Sequence, residues 1–266
     1  MAKDEAYDME GHIVYVDEKE YTIGHYLASG LQRIVFFATN TSDPLDRVVV
    51  KVPAPNPHQE LRRFWDELEV YNLIKMEWNK IHINDGKPFP LPNMLKGKNL
   101  KTNQDFLVME YVDYKEELPH FLTEFSNGLK RQLFLIEVAS QYADLLGALH
   151  RAGKIRVDIK LRDLYWKENE KRLIVLDWDT VAELDNARND IGLDFYNFGS
   201  LWYQLITGHY PSPNMDLLDD NIWNDTDVAF RYLLLQALSP YKSLRYQTDQ
   251  EFSEAIAKVR ERLSSS

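Results

Sequence analysis

Strand-forming runs fill the first hundred residues of this chain and helical periodicities dominate after about residue 115; that segregation constrains its fold more than any other feature. It points to an α+β architecture, a small antiparallel β lobe with one helix followed by a larger, mainly helical lobe. Tyr21 to Ile23, Ile34 to Ala38, Arg47 to Val52 and Phe106 to Glu110 are short β-branched or aromatic runs separated by Gly, Asn, Asp and Pro. One helix interrupts them over Gln59 to Lys75, where Leu61, Trp65, Leu68, Tyr71 and Ile74 recur at helical spacing. KPFPLPN, Lys87 to Asn93, then breaks regular structure.

In the second part, Leu129, Leu133, Ile136, Ser140, Ala143, Leu146 and His150 share one stripe, predicting a long buried helix ended by Gly153. Leu173 to Leu176 reads as a short strand. Phe195 to Thr207, closed by Gly208 and Pro211, is apolar enough for a helix at the centre of its lobe. The last helix opens on a capping box, Thr248 to Glu251, and presents Phe252, Ile256, Val259 and Leu263 on one face. The two lobes are expected at 1–112 and 113–266, together forming one domain.

Asp158 and Asp177 carry the clearest chemical signal. KIRVDIKLRDLYW and RLIVLDWDT each set an acidic residue beside an apolar, strand-forming run, on either side of a short predicted hairpin. The two Asp lie 177 − 158 = 19 residues apart. Phosphoryl transfer from ATP needs one carboxylate to orient and deprotonate the attacking hydroxyl, and another to hold the magnesium that bridges the phosphates. D-x-K-x-x-D, a hairpin, and a strand ending in Asp supply both from neighbouring loops.

With these strings in order along nearly its whole length, the chain resembles the protein kinase superfamily, of the serine/threonine type with a shortened activation segment. YLASGLQRIVFFAT is similar to the phosphate-covering loop, RVVVKV to the strand bearing the ATP-binding lysine, and FWDELEVYNLI to the helix whose glutamate pairs with it. FLVMEYVD resembles the hinge strand, VDIKLRD the catalytic loop, LDWD the metal-binding strand end, and DFYNFGSLWYQLITGHYP the central helix. The resemblance implies that Lys51, held by Glu67, neutralises nucleotide phosphates, with Val70, Tyr71 and Ile74 apolar behind Glu67. Leu27, Gly30, Val35, Val49, the gatekeeper Met109 and the backbone of Glu110 to Val112 would bind ATP. Asp158 would take the hydroxyl proton and Lys160 would stabilise the transferring group, with Asp163 and Asp177 on Mg2+ and Asp179 as an auxiliary ligand or a solvated turn residue. Asp194 would hold the catalytic-loop backbone while also capping its helix, and Arg245 would be the closing arginine. Taken singly, Lys51 reads as an edge-strand lysine, Glu67 as an exposed helix glutamate and Asp177 as a turn residue; their joint order carries the resemblance.

The chain also departs from the family pattern. Ala28 and Arg33 stand at two glycine positions of the phosphate loop, and Arg33 reads as a solvated arginine or an added phosphate contact. Val49 replaces the usual Ala, Asp163 the usual Asn, and Val157 the Arg that pairs with a phosphorylated activation segment. Only 194 − 177 = 17 residues separate Asp177 from Asp194, with Thr180 the sole hydroxyl residue between them and no A-P-E motif; Glu183 is a candidate partner for Arg245. LDWDT is also similar to the D-W-D/E motif of aminoglycoside- and choline-kinase-like phosphotransferases. Three readings follow: transfer from ATP to a protein Ser/Thr hydroxyl, transfer to a small alcohol, or a nucleotide-binding pseudokinase scaffold.

Composition narrows the setting. The 266 residues, 44% hydrophobic and 12% aromatic, suit a globular protein with one large core or two smaller lobes. With no cysteine, a disulfide framework, a thiolate metal site and a thiol nucleophile are excluded. A net charge of −11, from 31 basic and 42 acidic side chains, disfavours nucleic acid and anionic membrane as partners. Nucleotide phosphates must then be met by a local cationic site with metal. MAKDEAYDMEGH lacks the apolar segment of a secretory signal, and no run approaches the roughly 20 apolar residues of a spanning helix. A soluble, cytoplasmic protein is expected; oligomeric state is left open.

Overall fold

The computed structural model describes residues 9–30, 33–54, 60–125, 128–156, 158–178, 180–185, 190–211, 223 and 225–265, without the side chains of 60–64. Val157, Asp179 and the Leu61 side chain therefore lie outside the described residues. The chain packs as two units, Met1–Asn72 with Leu91–Asp113, and Leu73–Pro90 with Tyr114–Ser266. The sequence suggested a single cut at 112/113. Residues 73–90 instead join the second unit, where Pro90 O accepts from Val175 N at 3.0 Å and the Trp78 and Phe89 rings lie 5.7 Å apart.

The first unit is a closed antiparallel barrel. Its strands are β1 (Ile13–Val16), β2 (Lys19–Ser29), β3 (Arg33–Asn40), β4 (Arg47–Pro53), β5 (Met94–Asn99) and β6 (Gln104–Glu110), in the order β1-β2-β3-β4-β6-β5. Strand alternation decides which residues face the interior. Ile34, Phe36 and Ala38 of β3 and Val48, Val50 and Val52 of β4 join the barrel core, each buried Ile, Phe or Val side chain contributing about 1.5–3 kcal/mol. The intervening β4 residues, Val49 and Lys51, are thereby turned to the outer face. Gly97 of β5 is required by crowding, because a Cβ there would sit 2.6 Å from Val108 Cγ2 and 2.8 Å from Val14 Cγ1.

Helix α1 (Glu60–Ile81) runs six residues beyond the expected end at Lys75, since no glycine or proline interrupts it until Gly86. Its stripe of buried side chains is Glu67, Tyr71, Ile74 and Trp78, a carboxylate on an otherwise apolar face.

The second unit contains α2 (Leu118–Phe121), α3 (Gly128–Arg151), β7 (Lys154–Arg156), β8 (Leu164–Lys167), β9 (Arg172–Val175), β10 (Val181–Glu183), α4 (Ile191–Thr207), α5 (Val228–Ala237) and α6 (Asp249–Ser264). Helix α3 is buried on nearly every side from Leu135 to His150, so its sequence is apolar well beyond one stripe. Leu129, expected on that stripe, is exposed in the first turn. Helix α3 packs along α6, and α4 packs along α5. Strands β8 and β9 form the expected hairpin, and β7 pairs with β10. Helix α4 starts at Ile191 with Asp190 at its N-cap, so Asp194 lies in the first turn and is not the cap. Gly208 (φ +77°) closes α4 by donating its N–H to Gln204 O. Thr248 caps α6 by accepting from Glu251 N at 3.1 Å.

Candidate active site

In the first unit, β4 is flanked by β3 and β6, with Val35 and Leu107 both opposite Lys51 and Met109 opposite Val49. Lys51 is thus a central-strand lysine. It is 6% exposed, Glu67 is 3% exposed, and Lys51 Nζ donates to Glu67 Oε1 at 2.6 Å. Arg33 bonds to the other oxygen of the same carboxylate, with its side chain only 12% exposed. The solvated reading of Arg33 is therefore corrected: two cations converge on Glu67.

In the same unit, Val49 and Met109 are buried, Val35 and Val112 half-buried, and Leu27 exposed. Gly30 turns the β2–β3 connection, donating its N–H to Arg33 O at 2.9 Å, and a Cβ on it would meet nothing within 4 Å. Glu110 N donates to Asn93 O at 2.8 Å, anchoring the end of β6.

In the second unit, Asp158 and Lys160 are exposed on either side of buried Ile159, and the Lys160 backbone is extended. Lys160 Nζ donates to Asp158 Oδ2 at 2.7 Å, and that carboxylate holds the ammonium above the usual lysine range. A single 3₁₀ turn, Leu161–Asp163, follows. Lys160 N donates to Asp163 Oδ2 at 2.9 Å, while Asp163 O accepts from Leu176 N at 2.8 Å. The loop is thereby stitched to the end of β9. There Asp177 takes a left-handed backbone (φ +63°), which costs a non-glycine residue on the order of 1 kcal/mol and requires surrounding restraint.

Arg156, a residue not singled out from the sequence, supplies that restraint. It is fully buried; Nε donates to Asp158 O at 3.1 Å, and Nη2 to Leu176 O and Asp177 O, each at 2.8 Å. Its guanidinium lies 4.5 Å from the Trp178 ring centroid and 3.6 Å from Asp163 Oδ2. An arginine between Ile155 and Val157, two residues before a candidate catalytic Asp, was the available signal.

Asp194 holds this strand from below. Both its oxygens accept from Arg156 N at 3.1 Å, and Oδ2 bonds His150 Nε2 at 2.9 Å. Burial pushes the Asp194 carboxyl above the ordinary range, only partly opposed by His150 and Arg156. Burial alone would lower the His150 imidazole, but hydrogen bonds to Asp194 and Asp249 outweigh it and raise it to about 9. Thr180 Oγ1 donates to Asp158 O at 3.0 Å. Glu183 meets Lys154, its partner across the β7–β10 pair, and not Arg245. Arg245 donates to Ser239 O and Gly192 O and lies over Tyr196.

Among the described residues no group of three or more His, Cys, Asp or Glu is placed to hold a metal by itself. Magnesium takes one or two carboxylates and completes its shell with phosphate oxygen and water. Asp163 and Asp177 offer oxygen donors of this kind on two segments stitched together by backbone hydrogen bonds.

No protein-family model matches the sequence, and no curated protein does. Solved structures do. The Toxoplasma gondii specific rhoptry antigen kinase domain is similar over 96% of this chain and 86% of its own, at 14% identity and a TM-score of 0.66. The Mycobacterium tuberculosis PknI kinase domain is similar over 90% of this chain and 96% of its own, at 18% identity and a TM-score of 0.60. The chain has the α+β fold of protein kinase domains. Among the described residues no helix is long and apolar enough to cross a membrane.

Proposed function

We propose that the protein is an ATP- and magnesium-dependent phosphotransferase that moves the γ-phosphoryl group of ATP to a serine or threonine hydroxyl of a protein substrate. The buried Lys51–Glu67 pair carries this reading. Burying both charges costs several kcal/mol per ion before pairing, an arrangement better suited to a phosphate site than to stability. Lys51 meets the nucleotide phosphates, with Glu67 fixing its ammonium. Leu27, Val35, Val49 and Met109 receive the adenine, the backbone of Glu110 and Val112 bonds its edge, and Gly30 covers the phosphates.

In the other unit, Asp163 and Asp177 would hold magnesium, which when bound neutralises phosphate charge. Asp158 orients the substrate hydroxyl and accepts its proton as the new oxygen–phosphorus bond forms. The bond from phosphorus to the ADP oxygen breaks, and ADP leaves with the electron pair. Lys160, already bonded to Asp158, shifts its charge toward the transferring group.

Two features favour a protein substrate over a small alcohol. Asp194 grips the strand leading into the catalytic loop, and Trp178 is buried against Arg156, which gives the D-W-D string a structural role. The short stretch between Asp177 and Asp194 favours the small alcohol, which the same assay addresses. Labelled γ-phosphate should pass from ATP to protein only with magnesium, and Asp158→Asn and Asp177→Asn should each lower turnover by about 100-fold or more. A labelled metabolite without labelled protein would support the small-alcohol reading. ATP-dependent thermal stabilisation without any turnover would replace catalysis with a scaffold role.

A further inference from the structure

A carboxylate-rich phosphate site by itself leaves Arg156 unexplained: a fully buried cation lying among the residues that would bind metal. Its fork is spent on main-chain oxygens. One guanidinium joins the loop at Asp158 to the strand end at Leu176 and Asp177, and Nη1 has no hydrogen-bond partner among the described residues. Its charge has a second role. Asp163 is 7% exposed, and a buried carboxylate needs a nearby cation; Arg156 Nη2 is 3.6 Å away. The resemblance expects a neutral Asn at 163, so the additional carboxylate and the buried arginine appear together in one chain.

We propose that Arg156 is a positioning residue coupled to Asp163: its fork ties Asp158 to Asp177, and its charge balances the carboxylate at 163. Arg156 touches no reacting atom. The inference rests on the phosphotransferase reading for its kinetic consequence, whereas its structural consequence stands without it.

The wild-type protein is compared with Arg156→Gln, Arg156→Lys, Asp163→Asn and the double variant Arg156→Gln/Asp163→Asn. Turnover is measured with ATP and magnesium, and amide hydrogen exchange without either. Because small displacements of catalytic groups cost about 100-fold, Arg156→Gln should lower kcat by that factor while KM for ATP changes by less than about threefold. Adding Asp163→Asn should restore about tenfold of the loss, since the buried carboxylate no longer lacks its cation. Exchange at 158–163 and 176–178 should quicken in Arg156→Gln and slow again in the double variant. Arg156→Lys, which keeps charge but loses the fork, should fall between wild type and Arg156→Gln.

Strictly additive losses in both measurements would overturn the coupling. If Arg156→Gln does not fold, Arg156→Lys decides: wild-type kcat and exchange in that variant would refute the tie. If wild type itself transfers no phosphate, the phosphotransferase reading fails, and exchange alone still decides the role of Arg156.

Discussion

Glu67 accepts from both Lys51 and Arg33, and that sharing makes the three side chains unequal. Lys51→Met removes one cation and leaves the carboxylate with Arg33, so its stability cost should stay near 1 kcal/mol. Glu67→Gln leaves two buried cations facing a neutral amide and should cost about 3 kcal/mol. Urea unfolding of the two variants checks the order, and a larger loss for Lys51→Met would contradict the sharing. Gly30 permits a complementary test. Its Cβ space is open, so Gly30→Ala should leave stability within about 1 kcal/mol of wild type, while calorimetry should record weaker ATP binding if phosphate approaches that backbone. The pairing of Lys51 with Glu67 was legible because the resemblance fixes both residue types and their order. Arg33 and Arg156 were not. Whether an arginine is solvated or buried depends on carboxylates and carbonyls that the fold brings to it from distant positions.

Elements were legible where pattern and punctuation agreed. Helix α6 has a hydroxyl cap and four apolar residues on one face, and its start was readable to the residue; Thr248→Ala should cost about 1 kcal/mol in unfolding experiments. Strand β1 is only four residues long, and β5, MLKGKN, has no β-branched residue, so their pairing in the barrel came from tertiary context. The start of α4 was misplaced because Asp194 resembles a cap, although Asp190 sits at that position four residues earlier. Within α4, Gly199 is set by close helix packing, since a Cβ there would lie 2.9 Å from Ala237 Cβ and 3.0 Å from Leu238 Cγ. Gly199→Ala raises helix propensity, yet it should lower stability by about 1–3 kcal/mol because α4 and α5 must move apart. A melting temperature equal to or above wild type would show that the interface yields freely.

At the scale of the molecule, one histidine joins three helices of the second unit and makes stability depend on pH. His150 lies in the last turn of α3, bonds Asp194 in the first turn of α4 and Asp249 at the start of α6, and meets the Phe195 ring edge-on. Its imidazole is raised from 6.5 to about 9, so the folded protein holds this proton where the unfolded chain has released it. The stabilisation is full below pH 6.5 and is lost as pH rises through about 9. Asp194, raised by burial, acts in the same direction at lower pH, because its folded form also retains a proton longer. At about 1.4 kcal/mol per unit, the His150 contribution amounts to at most roughly 3–4 kcal/mol. Urea unfolding should therefore show wild type losing stability steadily between pH 6.5 and 9, with His150→Gln less stable at pH 6.5 and nearly flat across that window. The net charge of −11 adds repulsion as lysines and tyrosines titrate at still higher pH, but that background is common to both proteins and cancels in the difference. Equal slopes for wild type and His150→Gln would mean that the imidazole is neutral in the folded protein and that α3, α4 and α6 are held together by packing alone.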